Sequence, residues 1–440
     1  MAFLLLSGAG PADGQKSPLQ WPVPPPGPPR EPVFPRLLID PGELAGRLKA
    51  GSAVPLDARD AGLFEKGHLP HAVLAWRPDE EVPWGIERVR ALMSERGILG
   101  DKAVVIYGDR EKAARLFWLL RWAGCPEVRI FGGGLVAWQA AGGALKTSAS
   151  RLSPSELRRP PSGTVAVGSA WVAGSFGEEG VELLDVRDAR GWDTWQTPPL
   201  FGTGHIPYSL PFDPGALLPA NGGWPDPVEL RRRLGTLGPR AGDPVKLEST
   251  FVLYGEGPQD PRLGLGYFLF SLAGLEVRVF PGGWQEWTAA GDHPVVRVIP
   301  AAELASLLKR ENPGLDQDRH PRGLILLDLR EHRDFAIGHL PGALFVPYSS
   351  TTEILSEVLA MRIEREWPDA DHALPLVLYC YGSDCIRSRE AGAQAARLGF
   401  RNVLWFRGGI REWRQAGYPL IDAALPTARR VSPEGGAARP

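Results

Sequence analysis

Five short markers recur in the same order three times along this chain, and any fold proposed for it must account for that repeat first. Each copy opens on an apolar run ending in Leu-Asp-x-Arg, at Asp57/Arg59, Asp185/Arg187 and Asp328/Arg330. Each continues with Gly-His-[Leu/Ile]-Pro, at Gly67 to Pro70, Gly204 to Pro207 and Gly338 to Pro341. A second apolar run then ends in Tyr-[Gly/Cys], followed by a helical pattern closing at Ala123-Gly124, Ala273-Gly274 or Leu398-Gly399. Last comes Phe-x-Gly-Gly with a following Trp: Phe131 to Trp138, Phe280 to Trp287 and Phe406 to Trp413. Copies of roughly 110–140 residues have the size of compact domains, not of solenoid units.

Length and composition agree with three domains. A chain of 440 residues accommodates three units of ~150. With 43% hydrophobic and 23% charged residues it has enough apolar material for several cores. A formal net charge of −2 gives no electrostatic basis for nucleic acid or an anionic membrane as partner. No apolar run of 18 or more residues marks a membrane span.

Within each copy, strand and helix patterns alternate. In the third, 323–327, 376–379 and 403–406 read as buried strands and 388–398 as a helix. The expected class is therefore α/β, each copy a small parallel sheet with helices on both faces. Ligands in such folds gather at the carboxyl ends of the strands, where both Asp328 and Cys380 fall.

Cys380 separates the copies chemically. It stands where the sister segments carry Gly108 and Gly255, so one copy in three holds a nucleophile at the strand-to-helix turn. The loop Cys380-Tyr381-Gly382-Ser383-Asp384-Cys385-Ile386 leads into a helix expected to start near Arg387. A thiolate is the reactive form of cysteine, so a working site must stabilise an anion. Loop amides, the helix N-terminus and the Arg387 cation are the groups expected to do so, with Gly382 allowing the loop to curl. Two readings of Cys385 stand side by side: a resolving thiol that attacks sulfur held on Cys380, or a small apolar plug beneath the loop. Only three cysteines occur, which excludes a disulfide scaffold, and no His/Cys spacing suggests a metal site. Cys125 reads as a half-buried structural thiol just past a helix.

Together these markers resemble the rhodanese-homology domain, in three tandem copies from about Leu37 to Ala424. The resemblance implies a sulfurtransferase in which Cys380 takes sulfur from a small-molecule donor such as thiosulfate as a persulfide. The acceptor would be a thiol, a protein or cyanide. It also implies that the two copies without the cysteine serve structure or recognition, and that the second contributes to the cleft of the third. No metal or organic cofactor is implied. The loop departs from the family pattern. Single-cysteine sulfurtransferases commonly carry Cys-x-x-Gly-x-Arg, and phosphatase or arsenate-reducing relatives Cys-x5-Arg, whereas Arg387 lies seven steps from Cys380. An oxyanion reductase or phosphatase at the same loop, and a non-catalytic binding scaffold, are the alternative readings.

Because all three copies carry the Asp-Arg pair, Asp328 and Arg330 are expected to support the loop as a shared structural ion pair, and His339 to stabilise a turn. Trp413, Gly408 and Gly409 are expected to pack the closing strand, and His332 and Arg333, unique to the third copy, to lie near the pocket or on a solvated face. The expected layout is a proline-rich segment at 1–35, copies at 36–146, 164–296 and 297–424, and a mobile tail at 425–440. A linker is expected at 147–163, and an insertion at 192–201 sets the second copy apart. The weakly apolar start at Met1 to Ser7 favours a cytoplasmic protein, with export the alternative if a fuller signal precedes it.

Overall fold

The computed structural model describes residues 34–76, 86–98, 102–148, 150, 152–155, 159–187, 204–237, 245–346 and 374–422. The proline-rich start, the insertion at 192–201 and the tail from 425 lie outside the described residues.

Three parallel sheets appear in chain order. The first comprises β1 (Ala53–Asp57), β2 (Val73–Leu74), β3 (Ala103–Tyr107) and β4 (Val128–Ile130), in the order β2-β1-β3-β4. The second repeats it with β5 (Val181–Asp185), β6 (Leu210–Pro211), β7 (Thr250–Tyr254) and β8 (Val277–Phe280), in the order β6-β5-β7-β8. The third has β9 (Val295–Val298), β10 (Ile325–Asp328), β11 (Leu344–Phe345), β12 (Leu376–Tyr379) and β13 (Asn402–Phe406), in the order β11-β10-β12-β13-β9. All the strand pairings are parallel. Strands β1, β3, β10 and β12 are buried along their whole length, because helices cover both faces. The α/β class read from the alternation of patterns is the class observed.

Each closing Trp anchors its copy in the same way. The indole N–H of Trp138, Trp287 and Trp413 donates to the carbonyl of Ala144, Pro294 and Pro419, at 3.0, 3.0 and 2.8 Å. Each histidine of the Gly-His marker pairs by its backbone with the chain that returns from there: His68 with Lys146, His205 with Val296 and His339 with Ile421. The turn role expected for His339 is the role these pairings give it.

The copies join unequally. The helices Arg110–Ala123 and Pro261–Leu272 press together so tightly that a Cβ on Gly264 would lie 2.4 Å from the Cα of Arg115. Phe117 meets Phe268 edge-on at 5.0 Å, and one continuous apolar cluster runs from the first copy into the second. The third copy keeps its own two clusters. It is attached through β9, whose Val296 pairs with His205 on one side and Val403 on the other. Polar contacts add to this, among them Arg397 with Glu178 and Arg389 Nη2 donating to the Ser209 carbonyl at 3.3 Å. The proposed boundary at residue 296 thus falls inside β9. The expected linker at 147–163 is tied to the first copy: Ser155 N–H donates to Ser94 O, and Ser162 N–H to Trp122 O.

Candidate active site

Every copy builds the same polar hub at the ends of its two neighbouring inner strands, β1 and β3, β5 and β7, and β10 and β12. In the third, Asp328 accepts from Arg330 Nε at 3.0 Å and Nη2 at 2.7 Å, while Nη2 also donates to the Gly338 carbonyl at 2.8 Å. The Tyr379 hydroxyl donates to Asp328 at 2.5 Å and accepts from the Leu340 N–H at 3.2 Å. The second copy matches it with Tyr254, Asp185 and Arg187, and the first with Asp57, Arg59 and Tyr107. Burial, reinforced by the adjoining carboxylate, pushes the Tyr254 and Tyr379 hydroxyls well above their ordinary value. Two copies without the loop cysteine carry the same arrangement as Asp328 and Arg330, the pattern expected of a shared supporting ion pair. Tyr379 was not given a role by the sequence reading. The signal was there, as a tyrosine stands at the same strand end in all three copies.

Cys380 follows Tyr379 and is enclosed, with 1% of its surface exposed. Its carbonyl accepts from the Ile410 N–H at 3.0 Å, and that of Tyr381 from the Arg411 N–H at 3.2 Å. These donors open the helix Gly409–Gln415. Gly409 makes the clasp possible: its φ is +55°, and a Cβ there would lie 2.3 Å from the Cys380 oxygen. Gly409 thus has a more direct part in the site than the packing role expected of it.

Across the loop, the Cys385 N–H donates to the Gly382 carbonyl at 3.0 Å, which turns Cys385 back towards Cys380. The two sulfurs are joined in a disulfide. Cys385 is partly exposed, unlike its partner. Cys125 is buried, not half-buried, and burial pushes its thiol up to about 12, which leaves it inert.

Both flanks of the loop are pinned. Tyr381 donates its hydroxyl proton to Asp334 at 2.5 Å and accepts from the Glu331 N–H at 3.3 Å. Arg387 begins the helix Arg387–Arg397 as expected, and its Nη1 lies 2.7 Å from Glu331 Oε1. Its observed partner is thus a carboxylate beside the loop. On the far side Arg411 pairs with Asp384 at 2.9 Å. Ile386 precedes the helix without a side-chain cap. Gly382 and Ser383 form one wall of a surface depression whose other wall includes Arg407, Arg411 and Glu412. His332 and Arg333 are not among its lining residues: His332 lies edge-on to Phe345 and Arg333 is largely exposed.

Arg407 and Arg411 were also missed, although the repeats reveal them when aligned. The residue before the Gly-Gly is Gly132, Pro281 or Arg407, and the residue two before the closing Trp is Val136, Gln285 or Arg411. Only the copy with a cysteine in its loop carries cations at both places.

The strand order, the repeated hub and the placement of the loop coincide with the match to a family model, that of the Rhodanese-like domain, over residues 40–141, 169–290 and 301–416. The chain belongs to the rhodanese-like family. Among curated relatives, a putative thiosulfate sulfurtransferase of Mycobacterium tuberculosis is 31% identical over 295 residues, 60% of this chain and 97% of that one. A probable 3-mercaptopyruvate sulfurtransferase of Pseudomonas aeruginosa is 28% identical over 291 residues, 59% and 97% of the two chains. Among solved structures, the anaerobic ergothioneine biosynthesis enzyme from Chlorobium limicola aligns at 20% identity with a TM-score of 0.49, over 60% of this chain and 71% of that one. That partial overlap bears on neither substrate nor mechanism here. Among the described residues of this rhodanese-like chain, no helix is long and apolar enough to cross a membrane, and no cluster of His, Cys, Asp and Glu has the makings of a metal site.

Proposed function

We propose that the protein is a sulfurtransferase whose single working centre is the Cys380 loop of the third copy. The observation that carries this reading is the coincidence, in one copy only, of a thiol at the strand end with Arg407 and Arg411 beside the loop. The sulfurtransferase names of the relatives support the reaction class, and their two donors, thiosulfate and 3-mercaptopyruvate, are both anions.

With the disulfide reduced, the Cys380 thiolate attacks the outer sulfur of thiosulfate. The new bond forms from Cys380 Sγ, the sulfur–sulfur bond of the donor breaks, and sulfite leaves with the electron pair. Sulfur held as a persulfide then passes to a thiol or protein acceptor. Arg407 and Arg411 attract the anionic donor and offset the charge of the departing sulfite. Amides of the clamped loop and the start of helix Arg387–Arg397 favour the thiolate and the persulfide anion. Arg387, through Glu331, holds the loop to the exit of β10. Tyr381, Gly382, Ser383, Asp384 and Ile386 shape the binding face, and Asp328 and Arg330 support it from below.

Intact mass of the reduced protein after thiosulfate exposure tests the reading. Cys385→Ser, which has no second loop thiol to displace the sulfur, should gain one sulfur atom and Cys380→Ser none. Uptake that survives in Cys380→Ser would falsify the assignment.

A further inference from the structure

The disulfide between Cys380 and Cys385 invites comparison with the second copy, whose loop has no sulfur. There the Gly255 carbonyl accepts from the Trp284 N–H at 2.9 Å and that of Glu256 from the Gln285 N–H at 2.9 Å. Gly283 sits at φ +54° with no room for a Cβ, which would lie 2.4 Å from the Gly255 oxygen. The backbone clasp is the same in both copies and is made without sulfur in the second, so it does not depend on the disulfide, a redox-active bond found in the third loop. Its two ends also differ. Cys380 is enclosed and its backbone is clamped, whereas Cys385 lies on the partly exposed turn, where its backbone N–H meets Gly382.

We infer that Cys385 is the resolving thiol of a two-cysteine cycle in which this enzyme releases its sulfur as hydrosulfide and is reset by a dithiol. The inference rests on the persulfide reading above. In the resolving step the Cys385 thiolate attacks Cys380 Sγ. A bond forms between the two cysteine sulfurs, the bond from Cys380 Sγ to the transferred sulfur breaks, and that sulfur leaves with the electron pair as hydrosulfide. The product is the disulfide seen here. Both cysteines are now oxidised, and the transferred sulfur has been reduced.

The reset requires a two-electron donor, and the geometry dictates where it enters. In the disulfide form Cys380 is the enclosed end and Cys385 the partly exposed one, so a thiolate of the incoming dithiol attacks the sulfur of Cys385. Cys380 leaves as thiolate, and a mixed disulfide remains on Cys385. The second thiol of the dithiol then displaces Cys385 and becomes part of the oxidised product. Summed over the cycle, thiosulfate and a dithiol give sulfite, hydrosulfide, the cyclic disulfide and one proton. The acceptor class this fits is a small or protein dithiol, in preference to a monothiol or cyanide.

The test uses full-length reduced protein, loaded with thiosulfate and freed of donor and reductant. Without any acceptor, wild type should release hydrosulfide and finish two hydrogens lighter than its reduced form, while Cys385→Ser keeps its extra sulfur. Equal persistence of the persulfide in the two proteins overturns the resolving role and leaves the sulfurtransferase reading standing. Failure of both proteins to gain sulfur overturns both. For the reset, oxidised wild type is treated with glutathione as a one-thiol probe, quenched with acid and mapped by peptide mass. The adduct is expected on Cys385, and an adduct on Cys380 overturns the proposed point of entry.

Discussion

In the second copy the loop after β7 closes on its own Asp260, whereas in the third the loop after β12 closes on sulfur. Asp260 caps the helix Pro261–Leu272, accepts from the Glu256 N–H at 3.2 Å and pairs with Arg262 at 2.8 Å. Its Oδ2 lies 2.5 Å from the place a Cβ on Gly255 would occupy. The second loop thus supplies its own anion, and the space a cysteine side chain would enter is already taken. At the same point the third loop has Ile386, which makes no side-chain cap and leaves the interior to Cys380 and Cys385. The clasp around these loops is shared; what differs is what each loop closes on, a carboxylate in the second copy and a disulfide in the third.

The comparison is broken most completely by Cys380→Gly, which gives the third loop the residue found in the second. Sulfur uptake by intact mass should vanish while the circular dichroism spectrum is retained. Next in size is Gly409→Ala, which forces a left-handed alanine against the Cys380 carbonyl. A loss of about 2–5 kcal/mol is expected in urea unfolding, together with failed sulfur uptake. Gly283→Ala should cost a similar amount and leave uptake intact, which separates clasp from chemistry. If both alanine variants melt like wild type, the clasp is not what holds the loops.

A third test concerns acid. Burial depresses the His205 imidazole to about 4, with its Nδ1 proton given to the Ile206 carbonyl at 2.9 Å, while His339 of the third copy faces Asp318 at 3.2 Å. Between the unfolded value near 6.5 and about 4, the unfolded chain binds more protons than the folded one. Stability should therefore fall as pH drops through that window, by roughly 3 kcal/mol in total. Unfolding titrations at pH 7 and pH 4.5 should show the loss, and it should shrink in His205→Gln. The smallest effect is expected for Gly255→Cys, at about 1–3 kcal/mol from crowding against Asp260. That variant should take up no sulfur. If it loads as wild type does in the third loop, the carboxylate does not fill the second.

Much of this was legible in the sequence because the repeat carries its own controls. Asp328, Arg330 and His339 could be read as structural since Asp185, Arg187 and His205 stand in a copy with no thiol. β12 was bounded correctly because its four residues form one apolar run between Pro375 and a cysteine. What stayed hidden depended on distance across the fold. Arg387 meets Glu331 across 56 positions of the chain, a pairing that no local spacing encodes. The clasp needs the start of one helix to touch the loop before another, which a glycine pair alone does not announce. Asp260 caps its helix, and only the position of the missing Gly255 Cβ shows that it also fills the site.

The unequal joints between copies bear on how the chain is made. Helix Arg110–Ala123 leaves the ribosome with Phe117 and its neighbours uncovered, and helix Pro261–Leu272, which covers them, follows about 150 residues later. At synthesis rates of ~5–20 residues per second, that apolar face waits for roughly 8–30 seconds. The first copy therefore completes its packing only once the second has been made. The third copy has clusters of its own, and these close only when Ile410, Trp413 and the chain to Ile421 follow its last strand.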